Sequence, residues 1–105
     1  MQGTNDTPER PTLVTEVRVQ LTREPPILAF ISITLRNALV VHDLRILERR
    51  DGSRVVLMPR ARGTDGTWTT VAHPVNEATR REIERAILAA YEKCQAEQAG
   101  KQALG

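Results

Sequence analysis

The side chains with chemical reach in this chain of 105 residues are two histidines, one cysteine and an excess of arginine. His42 and Asp43 are neighbours, and an imidazole beside a carboxylate is the beginning of a general-base pair. They lie within Ala38 to Leu47, Ala-Leu-Val-Val-His-Asp-Leu-Arg-Ile-Leu, whose length and β-branched content read as a central strand. Alternation along that strand predicts Val40, His42, Leu44 and Ile46 on one, drier face and Leu39, Val41, Asp43, Arg45 and Leu47 on the other. His42 and Asp43 are therefore expected to point apart. His73 has no short metal-ligand spacing to His42, so both histidines are expected to be hydrogen-bonded core or packing residues. Cys94 falls on the apolar stripe of a helix, where a thiol acts as a small hydrophobe rather than a nucleophile. Neither a glycine-rich phosphate loop nor a nucleophile elbow occurs. The pattern points away from an enzyme and implies no cofactor or metal.

Charge points elsewhere. From Arg36 to Thr64, seven arginines stand against Asp43, Glu48 and Asp51, a surplus of four positive charges in a chain whose total is +2. A guanidinium presents a planar fork that matches phosphate oxygens, and contact with a phosphate backbone demands reach and charge rather than a catalytic pocket. The candidate nucleic-acid-binding residues are Arg60 and Arg62 in a basic loop, supported by Arg54, Arg49 and Arg50 from the neighbouring hairpin. A solvated arginine surface has the same composition. Trp68, next to the loop, is expected to cap the sheet's core, with stacking on a base as its other role.

The elements that must position these groups follow from periodicity. Met1 to Pro11 is polar and aperiodic and reads as a disordered leader over 1–11. Leu13 to Thr22 alternates, with Val17, Val19 and Leu21 opposite Glu16, Arg18 and Gln20, as a strand with one wet side does. Pro25 and Pro26 break it, and Ile27 to Leu35 resumes as a more buried strand. Asn37 suits the left-handed backbone of a tight turn into the central strand, and Asp51-Gly52 turns that strand into a short fourth one over Arg54 to Met58. Pro59 ends the fourth strand. Arg60 to Gly66 reads as a loop closed by Asp65-Gly66, and Trp68 to Ala72 as a fifth strand. Asn76 is a good N-cap for a helix to about Gln95, whose stripe of Ile83, Ala86, Ile87, Ala90, Tyr91 and Cys94 recurs at helical spacing. Residues 96–105 read as a flexible tail. The expected fold class is α+β: an antiparallel β-meander of about five strands with one C-terminal α-helix packed on it. The lone cysteine and the lack of a long apolar run suit a cytoplasmic protein with no membrane partner.

Val40-Val41-His42-Asp43-Leu44-Arg45, Met58-Pro59, the Asp65-Gly66 turn, and Ala72-His73-Pro74-Val75-Asn76 followed by Thr79-Arg80 together resemble the SpoVG family, the stage V sporulation (septation) protein G regulators. The resemblance implies a SpoVG-like domain over 12–95, a homodimer, and a regulatory role in bacterial septation and sporulation through binding DNA or RNA. It also implies a binding determinant just after Met58-Pro59, where a typical member reads Ser-Lys-Arg and this chain reads Arg60-Ala61-Arg62. Arg62 carries over, whereas the lysine position is Ala61, so charge is kept and its register moved. A dimeric protein-interaction module in division control, without nucleic-acid contact, is the alternative.

Overall fold

The computed structural model describes residues 12–104, so the expected leader over 1–11 lies outside the described residues. Six strands precede one helix: β1 (Val14–Glu24), β2 (Ile27–Leu35), β3 (Leu39–Glu48), β4 (Arg54–Leu57), β5 (Arg60–Arg62), β6 (Trp68–Thr70) and α1 (Glu77–Leu104). The first four form an antiparallel sheet in the order β1-β2-β3-β4, and β5 and β6 pair antiparallel as a separate ribbon. The α+β class, the meander and the C-terminal helix are as expected.

Turn chemistry accounts for the meander. Arg36 and Asn37 both adopt the left-handed region, with φ of 51° and 54°, and the turn is closed by the Ala38 N–H donating to the Leu35 carbonyl at 2.9 Å. At the next turn, Gly52 sits at φ 88°, a conformation glycine adopts at little cost, and Asp51 Oδ1 accepts from both the Ser53 N–H and its hydroxyl. The helix begins as the N-cap rule predicts, with Asn76 Oδ1 accepting from the Thr79 N–H at 2.7 Å.

The core is a single layer between one sheet face and α1. Ala29, Ile31 and Ile33 of β2, Leu44 and Ile46 of β3 and Val56 of β4 are buried beneath Ile83, Ile87 and Tyr91 of the helix. Val17, Val19 and Leu21 of β1 pack around them. Burying each of Ile83 and Ile87 contributes about 1.5 to 3 kcal/mol. Glu82, on the same helix, accepts from the N–H groups of Leu13 and Val14 at 2.7 and 3.2 Å. That carboxylate ties the start of β1 to the helix by charge-assisted bonds.

Three features depart from expectation. In β3 the register steps from Ile33 opposite Val41 to Ile31 opposite Leu44, so Ser32 alone faces His42 and Asp43, and Asp43 has φ 70°. This β-bulge shifts the alternation by one residue. Val41 and Leu44 both face the core, while Val40 and His42, expected on the drier face, are exposed. The expected fifth strand does not extend the main sheet. Trp68 to Thr70 pairs instead with Arg60 to Arg62, which had read as a loop. The helix, finally, continues past Gln95 to Leu104, a stretch whose alanines, glutamines and lysine are good helix formers.

Ile87 is fully buried and faces no charged partner in the core, so Ile87→Asp will leave the chain unfolded by circular dichroism, while Ile87→Ala will lower the urea-unfolding free energy by about 2 to 5 kcal/mol. A cooperative, parent-like Ile87→Asp variant would contradict this packing.

Candidate nucleic-acid interface

The two-stranded ribbon carries the candidate site. Its base is closed where the Val71 N–H donates to the Pro59 carbonyl at 2.9 Å, and its tip where the Gly63 N–H donates to Thr67 at 2.7 Å. The tip repeats the chemistry of the earlier turn: Asp65 Oδ1 accepts from the Thr67 N–H at 3.0 Å and the Thr67 hydroxyl at 2.7 Å, and Gly66 sits at φ 88°. The Thr67 hydroxyl and then its N–H hold the Asp65 carboxyl below the usual carboxylate range. At the β3–β4 turn the Ser53 hydroxyl and N–H do the same for Asp51, with the Arg49 charge adding to them.

All residues of the ribbon are exposed. Arg60 and Arg62 project from β5, opposite Thr70 and Trp68 respectively, and among the described residues neither forms an ion pair. The Arg60 guanidinium lies over the Trp68 ring, 5.5 Å from its centroid. Trp68 itself is 53% exposed, so it does not cap the sheet's core as expected. The ribbon leaves the sheet at Pro59 and carries the indole with it, away from the layer beneath α1.

The other predicted residues divide. Arg54 faces the helix side: its guanidinium lies 4.9 Å from the Tyr91 centroid and 3.3 Å from Glu92 Oε2, so it covers the end of the core. Arg49 and Arg50 occupy the β3–β4 turn, exposed and without ion pairs among the described residues. They are separated from Arg60 by the length of β4, on the order of 13 Å at about 3.3 Å per residue. The five arginines therefore form a basic pair on the ribbon, a second pair at the turn, and one residue committed to packing.

Two residues that the sequence reading did not place in the site join it. Asp43 and Arg45 of β3 line a small hollow with Leu57, Met58, Arg60 and Trp68, where the base of the ribbon meets the uncovered sheet face. The available signal was Asp43 itself, a residue disfavoured within a strand and tolerant of the left-handed backbone a bulge requires. On the same face, His42 Nδ1 and Ser32 Oγ are hydrogen-bonded at 2.9 Å, and His42 and Asp43 line one depression with Arg18 and Gln20. The bulge thus brings together two side chains expected to point apart. His73 is also exposed, its Nδ1–H donating to the Pro74 carbonyl at 3.0 Å. Both histidines are hydrogen-bonded, as expected, but neither lies in the core. Among the described residues no group of three histidine, cysteine or acidic side chains is placed to hold a metal ion, and no helix is long and apolar enough to cross a membrane.

An antiparallel sheet covered on one face by a helix, with a basic ribbon set off by a Met-Pro step, makes this a small α+β protein. The family model SpoVG matches residues 13–93. This chain belongs to the SpoVG family. It is 40% identical over 89 residues to the SpoVG protein of Clostridium acetobutylicum, covering 84% of this chain and 93% of that one. With the SpoVG protein of Anaeromyxobacter sp. strain Fw109-5 the identity is 41% over 80 residues, 76% of this chain and 81% of the relative. With that of Clostridium perfringens strain 13 it is 38% over 81 residues, covering 76% and 89%. The names of these relatives carry a provisional assignment to septation.

The two aspartate turns generate a pH prediction. Because the folded carboxyls titrate below their ordinary value, their contribution to turn order is complete at neutral pH and is lost as pH falls through the lowered values. The amide resonances of Ser53 and Thr67 will therefore titrate with midpoints below the ordinary aspartate value of about 3.9. Midpoints at or above it would show that the turn hydrogen bonds are absent in solution.

Proposed function

We propose that this chain is a non-catalytic regulator of the bacterial septation and sporulation type, acting in the cytoplasm as a homodimer that binds DNA or RNA. The observation that carries the reading is the ribbon β5–β6, which holds the Arg60 and Arg62 guanidiniums out in solvent without ion-pair partners among the described residues. An arginine without an ion-pair partner has no carboxylate to give up on meeting a phosphate, whereas one already ion-paired must break that contact first. Rigid pairing with β6 lowers the ordering cost of binding compared with a free loop. Arg49 and Arg50 at the β3–β4 turn give a second contact region farther along the same molecule.

Dimerisation is supported by the open edges of the sheet. In the order β1-β2-β3-β4, β1 and β4 each have a neighbour on one side only, and β1 is 11 residues long. Long unpaired edges are surfaces that proteins pair or cover. A dimer would present two ribbons, and two copies of Arg60 and Arg62 with support from Arg49 and Arg50 reach on the order of 4 to 6 phosphates.

Binding to duplex DNA is accordingly expected to weaken with salt at a log-log slope of about −4 to −5. The Arg60→Ala, Arg62→Ala double variant, folded by circular dichroism, will lose affinity for all sequences alike and show a shallower slope. Parent-like binding by that variant at every salt concentration would remove the ribbon from the site, and an absence of binding by the parent would favour a protein-interaction module. Light scattering at micromolar concentration will give about twice the monomer mass of 11.7 kDa. A stable monomer would refute the dimer.

A further inference from the structure

Phe30, Tyr91 and Trp68, the chain's only phenylalanine, tyrosine and tryptophan, each have a guanidinium beside the ring, and one of these pairs is unlike the other two. Tyr91 is buried, and Arg54 over it is also bound to Glu92. Phe30 is half-buried, and Arg45 over it has its Nε closed off from solvent. Trp68 is the one aromatic ring among the exposed large hydrophobic side chains of the described residues. Arg60 over it is exposed too, and in no ion pair among those residues. The first two pairs belong to the body of the domain, whereas the third stands on the ribbon.

The ladder of the ribbon adds a second guanidinium to that ring. Arg62 is opposite Trp68, and Arg60 is opposite Thr70. Residues directly opposite share a face, as do residues two apart, so Arg60, Arg62, Trp68 and Thr70 lie on one face of the ribbon and Ala61 and Thr69 on the other. The Cα atoms of the two arginines are about 6.6 Å apart along β5. A Cβ placed on Gly66 would lie 3.8 Å from Arg62 Nη2, so Arg62 reaches toward the tip of the ribbon while Arg60 lies over the indole.

We propose that Trp68 is the stacking site for one unpaired base of a single-stranded nucleic acid, with Arg60 and Arg62 taking the phosphates that flank it. The inference rests on the nucleic-acid reading above and names the strand state that the ribbon selects and the residue that selects it. Stacking of a base on an aromatic ring is worth more than an exposed guanidinium–ring contact, so the base displaces Arg60 from the indole. The released guanidinium has no carboxylate to give up and meets the neighbouring phosphate. In a duplex both faces of every internal base are covered by its neighbours, and reaching one with an indole requires unstacking a step, which offsets what a single stack returns. A duplex therefore meets the arginines and not the ring. Every base has a π-face, so the site selects single strand over duplex without selecting a sequence.

Because Trp68 is the only tryptophan, the intrinsic emission of the full chain reports this ring alone. The experiment titrates the full chain with a 12-nucleotide oligo-dT strand and with the same strand annealed to its complement, while anisotropy of the labelled DNA gives the affinity for each. The single strand is expected to quench the indole emission as it saturates the protein, and the duplex to bind and leave the emission unchanged. Trp68→Thr, which keeps a good strand former on an exposed ribbon, will lose on the order of 10-fold in affinity for the single strand and less than about two-fold for the duplex, and Trp68→Tyr, which restores a ring, will recover most of that loss. Saturation of the parent by the single strand without quenching overturns the stacking site, as does a Trp68→Thr variant, folded by circular dichroism, that binds the single strand as the parent does or weakens both forms equally. If both forms bind without quenching but with steep salt dependence and sensitivity to the Arg60→Ala, Arg62→Ala change, the ribbon reading stands and the stacking site alone is refuted. Failure of the parent to bind either form refutes both.

Discussion

One extra residue in β3 decides what the two faces of the sheet carry. Without the bulge opposite Ser32, strict alternation from Ile46 would put Leu44, His42 and Val40 under the helix and turn Val41 outward. An imidazole would then enter a layer made otherwise of aliphatic side chains and Tyr91. The bulge places both Val41 and Leu44 against the helix side and delivers His42 to the face that no helix covers, beside Asp43 and Arg45, which alternation from Ile46 already directs there. The cost is one residue at φ 70°, and Asp is among the few side chains that adopt it readily. Apolar burial on one face and polar chemistry on the other are thus coupled through a single backbone irregularity.

The second constraint is the departure of the chain at Pro59. Proline cannot donate to a ladder, and β4 ends at Leu57, so the strand that follows cannot prolong the main sheet in register. The backbone groups of Arg60 to Arg62 find partners instead in Trp68 to Thr70, closing a ribbon with its own aspartate turn. Such a ribbon has no apolar layer beneath it. It is held by its ladder and its turn, which is why its side chains, Trp68 included, remain exposed.

The arginines show how little composition says about role. Arg80 and Arg81 meet Glu84 and Glu77 one helical turn away, at 3.9 and 4.0 Å, and Arg18 meets Glu16 at 3.2 Å. Exposed pairs of this kind contribute roughly 0 to 1 kcal/mol each. Arg54 spreads over Tyr91 and reaches Glu92, joining β4 to the helix by contact as much as by charge. Arg62 has no such commitment among the described residues and Arg60 only its contact with the exposed Trp68 ring, while Arg45 Nε is buried without a partner. Availability, rather than number, separates a candidate binding arginine from a structural one.

The sequence by itself determined the elements whose causes are local. The Pro25-Pro26 break, the left-handed Asn37, the Asp51-Gly52 turn, the Asn76 cap and the stripe of Ile83, Ile87 and Tyr91 each act through neighbours a few residues away, and each is found as read. The blocks around His42 and His73 likewise sufficed to indicate the family. What only the tertiary structure decided were relations between distant strands: the bulge, the pairing of Arg60–Arg62 with Trp68–Thr70, the commitment of Arg54 to Tyr91 and the recess shared by Asp43, Arg45 and Trp68. The physical reason is that strand register is a property of two segments at once. A period-2 pattern reports which face a residue takes only while the ladder is unbroken, and whether it breaks depends on what the partner strand and the helix beyond it must bury.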